Sequence, residues 1–420
     1  MNDIGKPVYH SNQKLIEVIK SSNIRKFKPA ISDIDFSNTE IAFAHKSDKA
    51  LKKTAFLFRV MNKPFLVNVG SKLGVWAVKW RLPFVKKIVE NTIFQQFCGG
   101  TTLARSKPTI DELQQSNVLS VLDYGAEAKD SEADFNLIMN EIIRGIEFAA
   151  NNESVPVVVC KLSGMASNDL LEKVSLGTKL NAKEQSAWQG VRNRVETICN
   201  VAAENSVAIF FDAEESWIQA AIDGLVEEMM ERHNKEQALI YGTFQMYRKD
   251  RLQFLKDAYD KAQAGAYILG AKLVRGAYMK KEGERAYEMG YESPIQPSKA
   301  ATDRDFNAAV RFCVERYQGI ASCNASHNQE SCKLQADLIE QLGLPKNHSH
   351  LNFCQLMGMS DHLTFNLAQS GFNVAKYVVY GPVREVLPYL VRRAEENTSV
   401  TGDMSRELSF IETEMDRRDL

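Results

Sequence analysis

The sequence predicts an α/β protein: a (βα)8 TIM-type barrel with an N-terminal helical arm and the last helix lying across the barrel mouth. From about Val118 onward, short apolar runs alternate with longer segments of helical period, as in repeated strand–helix units. Eight such units fall within roughly 280 residues, close to the ~250 of a typical (βα)8 barrel. No G-x-G-x-x-G turn follows a strand, which disfavours a doubly wound sheet.

The eight runs have the character of parallel strands. Several are too continuously apolar for a half-exposed antiparallel sheet, and the helical segments between them supply the crossovers that parallel strands require. In the first of these segments, Ser131 and Asp134 form a start similar to a capping box, and apolar residues then recur with helical period. The predicted strands lie within 118–125, 155–162, 207–214, 238–245, 271–278, 320–327, 350–357 and 374–381.

We divide the chain into an N-terminal helical arm (1–110), a barrel domain (111–402) and a charged, solvated C-terminal tail (403–420). The arm lacks the strand pattern and predicts helices over 49–61 and 72–89. Its stretch 72–87 mixes Trp and Phe with Lys and Arg, a composition that suits a helix on a membrane surface. Helices that cover a barrel also need aromatic faces, so both interpretations stay open.

The composition excludes several classes of protein. Lys and Arg number 52 against 53 Asp and Glu, so the net charge of -1 supplies no basic field for nucleic acid. Seven cysteines without a C-x-x-C pair argue against a disulfide framework and a zinc site, and we therefore expect no metal and a reducing compartment. No apolar run approaches the ~20 residues of a membrane span. We expect a cytoplasmic protein, with peripheral contact at the inner face of the membrane as a further option.

Polar residues stand at the end of every predicted strand. In a (βα)8 barrel the carboxyl ends of the strands converge around one axis, so these residues outline an active site. Each of these residues has an alternative interpretation. An acid after a strand can cap the next helix, and His327 alone is more often a core histidine. Lys161 can be a solvated lysine or a buried cation that needs an anion. The strand-end residues are Asp123, Lys161, Asp212 with Glu214 and Glu215, Gln245, Arg275 with Tyr278, His327 with Asn328, Gln355, and Tyr380.

The segment after the last predicted strand forms an amphipathic helix. Pro382 suits its first turn, and Val383, Val386, Leu387, Leu390, Val391 and Ala394 make its apolar stripe. The opposite face carries Tyr389, Arg392, Arg393 and Glu396. That face is either a solvated surface with a Glu–Arg pair or, with two guanidinium groups beside an aromatic ring, a site for a small carboxylate. In the second case the helix lies across the barrel mouth with both arginines inward.

A long connection, 279–298, follows the fifth predicted strand. Connections of this length usually cover a ligand or are disordered. Its lysines and arginine could meet phosphates, but four glutamates make a solvated helix an equal alternative.

Eight fragments in order resemble the proline dehydrogenase family in its monofunctional form. They are LDYGAEA, KLSG, DAEESW, TFQMYRKD, KLVRGAYM, ASHN, QLMGM and YGPVREVLPYLVRRAEEN, and the likeness begins at FCGGTTLARSKPT and ends at Val400. The resemblance implies a (βα)8 barrel carrying FAD that oxidises L-proline to Δ1-pyrroline-5-carboxylate, the first step of proline catabolism. It also implies that electrons pass to a quinone, and hence at least transient contact with a membrane, for which the arm is the candidate.

The resemblance also implies roles for residues. Arg392, Arg393 and Lys161 would bind the carboxylate of proline, and Glu396 would steady the arginine pair. Tyr380, Tyr389 and Leu356 would pack around the pyrrolidine ring, while Tyr278 and Asp212 would shape the pocket; Lys161, Asp212, Tyr278 and Tyr380 form the catalytic set. The cofactor residues would be Gln245, Lys272, Arg275, Ala277, Lys299, His327, Asn328 and Gln355. Lys272 departs from some bacterial members, which have arginine against the flavin, and lysine lacks the planar fork.

Two other functions are compatible with the residues alone. A Schiff-base, aldolase-type barrel could use Lys161 as its nucleophile, since a desolvated lysine at a strand end suits that chemistry. A non-catalytic barrel serving as an interaction module would not bring the strand-end residues together.

Overall fold

Eight parallel strands form a closed barrel in the computed structural model. The structure describes residues 32–63, 85–125, 131–399 and 403–420, with the backbone alone for 85–86, 395–399 and 403–405. The strands follow chain order from β2 to β9, and β9 pairs with both β8 and β2, which closes the sheet. A short additional strand, β1, pairs with the end of β9. The strands are β1 (Cys98–Gly100), β2 (Leu119–Tyr124), β3 (Val157–Cys160), β4 (Ala208–Phe211), β5 (Ile240–Gln245), β6 (Leu269–Val274), β7 (Ile320–Ala325), β8 (Leu351–Leu356) and β9 (Asn373–Tyr380).

All eight predicted runs are strands, and the barrel prediction is confirmed. The described helices are α1 (Thr39–Phe43), α2 (Asp48–Met61), α3 (Val85–Val89), α4 (Gln95–Phe97), α5 (Leu103–Gln115), α6 (Glu132–Ala150), α7 (Asn168–Ser175), α8 (Ala182–Glu204), α9 (Ser216–His233), α10 (Arg251–Ala264), α11 (Met279–Met289), α12 (Lys299–Glu315), α13 (Gln329–Gln341), α14 (Asp361–Gln369), α15 (Val383–Ser399) and α16 (Asp403–Arg417). A π-helical turn, Glu90–Phe94, joins α3 to α4. Ser131 caps α6 as predicted, since its side chain accepts from Asp134 N–H.

Alternation along the strands divides the apolar residues into two cores. On β9, Val378 and Tyr380 face the surrounding helices, whereas Tyr377 and Val379 face the barrel interior. The interior core also contains Val383, Val386, Tyr389, Leu390 and Ala394 from α15. Helix α15 therefore lies across the barrel mouth, as predicted, but it is not the last helix.

The predicted solvated tail is wrong, because residues from Asp403 onward form α16. This helix packs on α1 and α2: Arg418 donates to Phe43 O at 2.9 Å, and Arg59 pairs with Glu412 at 2.8 Å. Glu414 is fully buried yet pairs with Arg418 at 2.7 Å. The charges that made the segment look solvated are partly on its buried face, where cations neutralise them.

The segment between α1 and α2 and the C-terminal helix α16 meet the barrel at a second group of buried charges. Asp361, at the start of α14, lies 2.8 Å from Lys376 Nζ on β9 and 3.3 Å from Lys46 Nζ, which precedes α2. Glu407 of α16 lies 3.5 Å from His362 Nδ1 and accepts from Ser360 Oγ at 3.2 Å. We call Lys46, Ser360, Asp361, His362, Lys376 and Glu407 the terminal cluster.

The connection after β6 takes the helical alternative. It contains α11, which ends at Gly290 in a left-handed conformation (φ 71°). Glu282 of α11 is fully buried and accepts from Ser216 N–H and Ser216 Oγ–H, both at 2.6 Å, at the first turn of α9. A carboxylate there satisfies amide donors and complements the positive end of the helix dipole.

The helix predicted over 49–61 is confirmed as α2. The basic aromatic stretch 72–87 lies almost wholly outside the described residues, so its membrane interpretation stays a prediction. Within the described part of the chain, no helix combines the length and apolarity needed to cross a bilayer.

Candidate active site

Four charged side chains and a tyrosine meet inside the carboxyl end of the barrel. Lys161 Nζ donates to Asp123 Oδ1 at 2.6 Å and lies 3.6 Å from Asp212 Oδ2. Lys272 Nζ donates to Asp212 Oδ1 at 2.5 Å, and the Tyr377 hydroxyl donates to Asp212 Oδ2 at 2.7 Å. We call Asp123, Lys161, Asp212, Lys272 and Tyr377 the interior cluster. Lys161 is thus a buried cation with anionic partners, not a solvated lysine.

Parallel register explains this convergence. Cys160 and Phe211 are paired on β3 and β4, so the residues that follow them, Lys161 and Asp212, leave the sheet side by side. Lys272 and Tyr377 face inward from the barrel wall, where the Lys272 ammonium lies 4.8 Å from the centroid of the Tyr377 ring.

The interior cluster shifts the pKa values of Asp212 and Tyr377 in opposite directions. Burial alone would raise the pKa of Asp212, but the Lys272 and Lys161 charges more than offset burial and hold that pKa below its usual range. Burial and the Asp123 and Asp212 charges raise the pKa of Tyr377 well above its ordinary value. Asp212 is therefore a carboxylate at neutral pH, and Tyr377 remains a hydrogen-bond donor.

Glu214 and Gln245 form a second layer beside this cluster. Glu214 accepts from Ser163 N–H at 2.9 Å, and burial raises its pKa to about 7. Gln245 donates from Nε2 to Glu214 O at 3.0 Å. Its Oε1 is buried and has no hydrogen-bond partner among the described residues. An unpaired buried acceptor of this kind fits an N–H donor supplied by a ligand.

The residues after β6 and β7 are held by hydrogen bonds. Arg275 donates to Asp303 at 2.7 Å and to Ser331 at 2.9 Å, and its guanidinium lies over Phe306. Lys299 is exposed and pairs with Asp303 at 2.7 Å. Asn328 caps α13 by accepting from Ser331 N–H. These partners lie on α12 and α13, outside the interior cluster.

The region around Ala277 and Tyr278 is more open. Ala277 is exposed and Tyr278 is half-buried, with Lys281 Nζ 5.5 Å from the centroid of its ring. Gly276 precedes them with φ 136°, and a Cβ there would meet the Tyr247 ring at 2.4 Å. Glycine is therefore required at this position to set the course of the segment.

His327, Gln355 and Leu356 lie at the ends of β7 and β8. His327 Nδ1 is 2.8 Å from Ser360 Oγ, and Leu356 N–H points to His327 Nε2 at 3.4 Å. Gln355 is buried and fully engaged, since it donates to Ser326 O and accepts from Thr364. Leu356 is half-buried against the interior core.

Helix α15 brings aromatic and cationic groups to the mouth. Tyr389 and Arg393 are buried, with 7% and 8% of their surface exposed, and Arg392 is half-buried. The Arg393 guanidinium lies 5.4 Å from the centroid of the Tyr389 ring. This face is therefore not a solvated surface. The side chain of Glu396 lies outside the described residues, so its role stays a prediction.

Tyr380 is separate from the interior cluster. Its hydroxyl donates to Glu141 Oε1 on α6 at 3.4 Å, and its ring lies 5.5 Å from that of Tyr124, within the core between barrel and helices. Its predicted contact with a substrate ring stays a prediction. Tyr377, three residues earlier, was not predicted, although inward–outward alternation on β9 places it on the other face of the strand.

Relatives of the chain support one family. The sequence matches the family profile described as Proline dehydrogenase over residues 106–406. The carbapenem antibiotics biosynthesis protein CarD of Pectobacterium carotovorum is 35% identical over 327 residues, 77% of this chain and 83% of that protein. The mitochondrial proline dehydrogenase 1 of Dictyostelium discoideum is 31% identical over 413 residues, 88% of this chain and 71% of that protein.

Solved structures share the fold. One is the crystal structure of proline utilization A (PutA) from Bdellovibrio bacteriovorus, a protein inactivated by N-propargylglycine. It superposes on 94% of this chain with a TM-score of 0.68 and 18% sequence identity. The superposed region is 42% of the PutA chain, so this chain spans less than half of that protein. With a family match that covers more than half of its sequence, the chain belongs to the proline dehydrogenase family.

Proposed function

We propose that the protein oxidises L-proline to Δ1-pyrroline-5-carboxylate with FAD as cofactor and passes the electrons to a quinone, the first step of proline catabolism. One observation carries the proposal: α15 buries Tyr389 and Arg393 over the barrel end where the interior cluster lies. A guanidinium, an aromatic ring and an enclosed apolar wall are the groups that recognise a small cyclic amino acid.

The residues present fit FAD. Gln245 Oε1 is a buried acceptor without a described partner, as expected if the imide N–H of a flavin ring bonds it. Lys272 and Arg275, paired with Asp212 and Asp303, place cationic groups at and just after β6. Ala277, Lys299, His327, Asn328 and Gln355 would border the remainder of the cofactor. When bound, FAD accepts the hydride from the proline carbon adjacent to nitrogen.

The carboxylate anchor is proposed to lie on α15. In the interior cluster the Lys161 and Lys272 charges are matched by Asp123 and Asp212, so the cluster is neutral as a whole. The proposed anchor for a substrate carboxylate is the pair of guanidinium groups, Arg392 and Arg393, that α15 brings to the barrel mouth. Lys161 remains a third, partly neutralised contact, and Asp212 and Tyr377 keep it oriented.

The remaining contacts serve binding and exclusion of water. Tyr389 and Leu356 would pack on the pyrrolidine ring, with Tyr278 and Tyr380 as the predicted outer contacts and Glu396 as the predicted partner of the arginines. Closing α15 over the barrel excludes water from the reacting carbon, and fixing the carboxylate orients the ring.

A Schiff-base enzyme is disfavoured by the same geometry. Two carboxylates within 3.6 Å of Lys161 Nζ stabilise its ammonium form, whereas imine formation needs the neutral amine. Borohydride in the presence of carbonyl substrates is expected to trap no adduct on Lys161.

The absorption spectrum of the purified protein tests the proposal. We expect flavin bands that bleach on anaerobic addition of L-proline and return when a soluble quinone is added, with glycine as the control that leaves the bands unchanged. A colourless protein that gains no proline-dependent dye reduction with added FAD would contradict the proposal.

Quinone reduction implies contact with a membrane, and the stretch 72–87 is the proposed contact. Charge reversal at Lys79, Lys86 and Lys87 should reduce binding to anionic liposomes, because each basic residue near such a surface contributes roughly 1 kcal/mol. Unchanged liposome binding would remove this stretch from the proposal.

A further inference from the structure

A short chain of hydrogen bonds joins the C-terminal helix to the candidate site. Ser360 Oγ lies 2.8 Å from His327 Nδ1 and 3.2 Å from Glu407 Oε1, and Arg406 donates to His327 O at 3.2 Å. Glu407 lies just beyond the family match, which ends at residue 406. Helix α16 therefore reaches a predicted cofactor residue in two ways, directly from Arg406 to the His327 carbonyl and from Glu407 through the Ser360 hydroxyl to the His327 ring.

Neighbouring donors set the direction of this chain. Leu356 N–H points at His327 Nε2, which makes Nε2 an acceptor. Burial, Lys376 and Arg393 hold the pKa of His327 well below its usual range, so the ring is neutral. A neutral ring whose Nε2 accepts carries its proton on Nδ1. Nδ1–H then donates to Ser360 Oγ, and the Ser360 hydroxyl donates to the Glu407 carboxylate.

The backbone at Ser360 supports a specific role for its hydroxyl. Ser360 is buried and has φ 52°, a left-handed conformation that residues other than glycine rarely adopt. Such a conformation persists only where surrounding contacts hold it. Here the contacts include the two side-chain hydrogen bonds to His327 and Glu407, beside those that the Ser360 carbonyl accepts from Leu363 and Thr364.

Charged groups on several elements face Glu407. They are Asp361 and His362 of α14, Lys376 of β9 and Arg406 of α16. Burial and the Asp361 charge raise the pKa of Glu407 to about 7, although Lys376 and Arg406 act in the opposite direction. The carboxyl group therefore changes its charge within the neutral range of pH.

We propose that Glu407 is a positioning residue: by accepting from Ser360 it fixes the Nδ1–H tautomer of His327 and keeps Nε2 as the acceptor for Leu356 N–H. This rests on the proposed function, in which His327 borders the cofactor and Leu356 the substrate. A protonated Glu407 can instead donate to Ser360 Oγ, and the Ser360 hydroxyl then donates to His327 Nδ1. The His327 proton moves to Nε2, which can no longer accept from Leu356 N–H. Catalytic efficiency should therefore fall as pH falls through about 7.

Four variants of the full-length protein test the role. Glu407→Met keeps the length of the side chain but removes the acceptor, and Ser360→Gly removes the hydroxyl while suiting φ 52°. Both should lower kcat/KM for L-proline at pH 8 by about tenfold, the loss expected for one hydrogen bond to a charged group. Glu407→Gln retains an acceptor, so it should stay within about threefold and lose the change between pH 6 and 8. Glu412→Gln, on the exposed face of α16, is the matched control and should behave as wild type.

A spectroscopic measurement separates this inference from the proposed function. Imidazole ¹⁵N–¹H correlation spectra, assigned with His327→Gln, should show His327 protonated on Nδ1 in the wild-type protein. An Nε2–H tautomer overturns the inference, as do Ser360→Gly and Glu407→Met proteins that match Glu412→Gln in kcat/KM and pH profile. A wild-type protein that shows the Nδ1–H tautomer but does not oxidise L-proline would contradict the proposed function and leave the positioning of His327 intact.

Discussion

The interior cluster and the terminal cluster are both buried groups of opposite charges, but they differ in access and origin. In the interior cluster, 18% of the Lys161 side chain is exposed at the barrel mouth. In the terminal cluster, Lys46 at the edge exposes 17%, but Lys376 and His362 at the centre expose only 2% and 0%. The interior cluster comes from the barrel alone, whereas the terminal cluster takes Lys46 and Glu407 from outside it.

The difference separates two uses of buried charge. A charge that reaches the mouth can exchange a protein partner for a ligand, while a sealed charge is stabilised only by its fixed partners. Substitutions of the sealed Asp361–Lys376 pair should therefore cost mainly stability, and those around the interior cluster mainly activity.

Asp361→Asn gives the largest expected effect on stability. It leaves the Lys376 ammonium buried without its carboxylate 2.8 Å away and should reduce the free energy of unfolding by about 3 to 5 kcal/mol. Chemical denaturation of this variant and of Glu412→Gln, whose exposed pair with Arg59 contributes at most about 1 kcal/mol, checks the value. Equal midpoints for the two variants would break the distinction between sealed and exposed charges.

The sequence predicted the interior cluster better than the terminal one. The physical reason is that strand order places the interior residues together, whereas the partners in the terminal cluster are far apart in the sequence. Lys161 and Asp212 were found because each directly follows a strand, and parallel strands bring such positions together. Tyr377 was missed because a continuously apolar strand does not reveal which alternate residues face inward. Glu407 looked solvated because its partners, Ser360 and His362, are distant in sequence and are adjacent only in the folded chain.

Arg393→Met sharpens the comparison from the side of activity. Removing one charge-assisted contact in a buried site should cost about 2 to 5 kcal/mol of binding, or roughly 30- to several-thousand-fold in the KM for L-proline. Flavin content and the thermal midpoint should change little. Loss of the flavin with an unchanged KM would assign Arg393 to the cofactor instead of the substrate carboxylate.

Stability as a function of pH tests the second layer of the site. The pKa of Glu214 is raised from 4.5 to about 7 by burial, so its contribution to stability is complete below about 4.5 and is lost as pH rises through 7. Relative to Glu214→Gln, the wild-type protein should lose roughly 2 to 3 kcal/mol of unfolding free energy between pH 5 and pH 8. A constant difference across this range would show that Glu214 does not titrate there.

Tyr377→Phe is the smallest and most specific probe of the interior cluster. It deletes the hydroxyl that donates to Asp212 Oδ2, while Lys272 and Lys161 still neutralise that carboxylate. The free energy contributed by this hydrogen bond should therefore be near the lower limit for a bond to a charged group, about 1.5 kcal/mol. If the cluster orients Lys161 toward the substrate, the loss should appear as about a tenfold fall in kcat/KM with a nearly unchanged thermal midpoint. A fall in the midpoint without a change in kcat/KM would instead place the interior cluster with the sealed Asp361–Lys376 pair, as charges that only stabilise the fold.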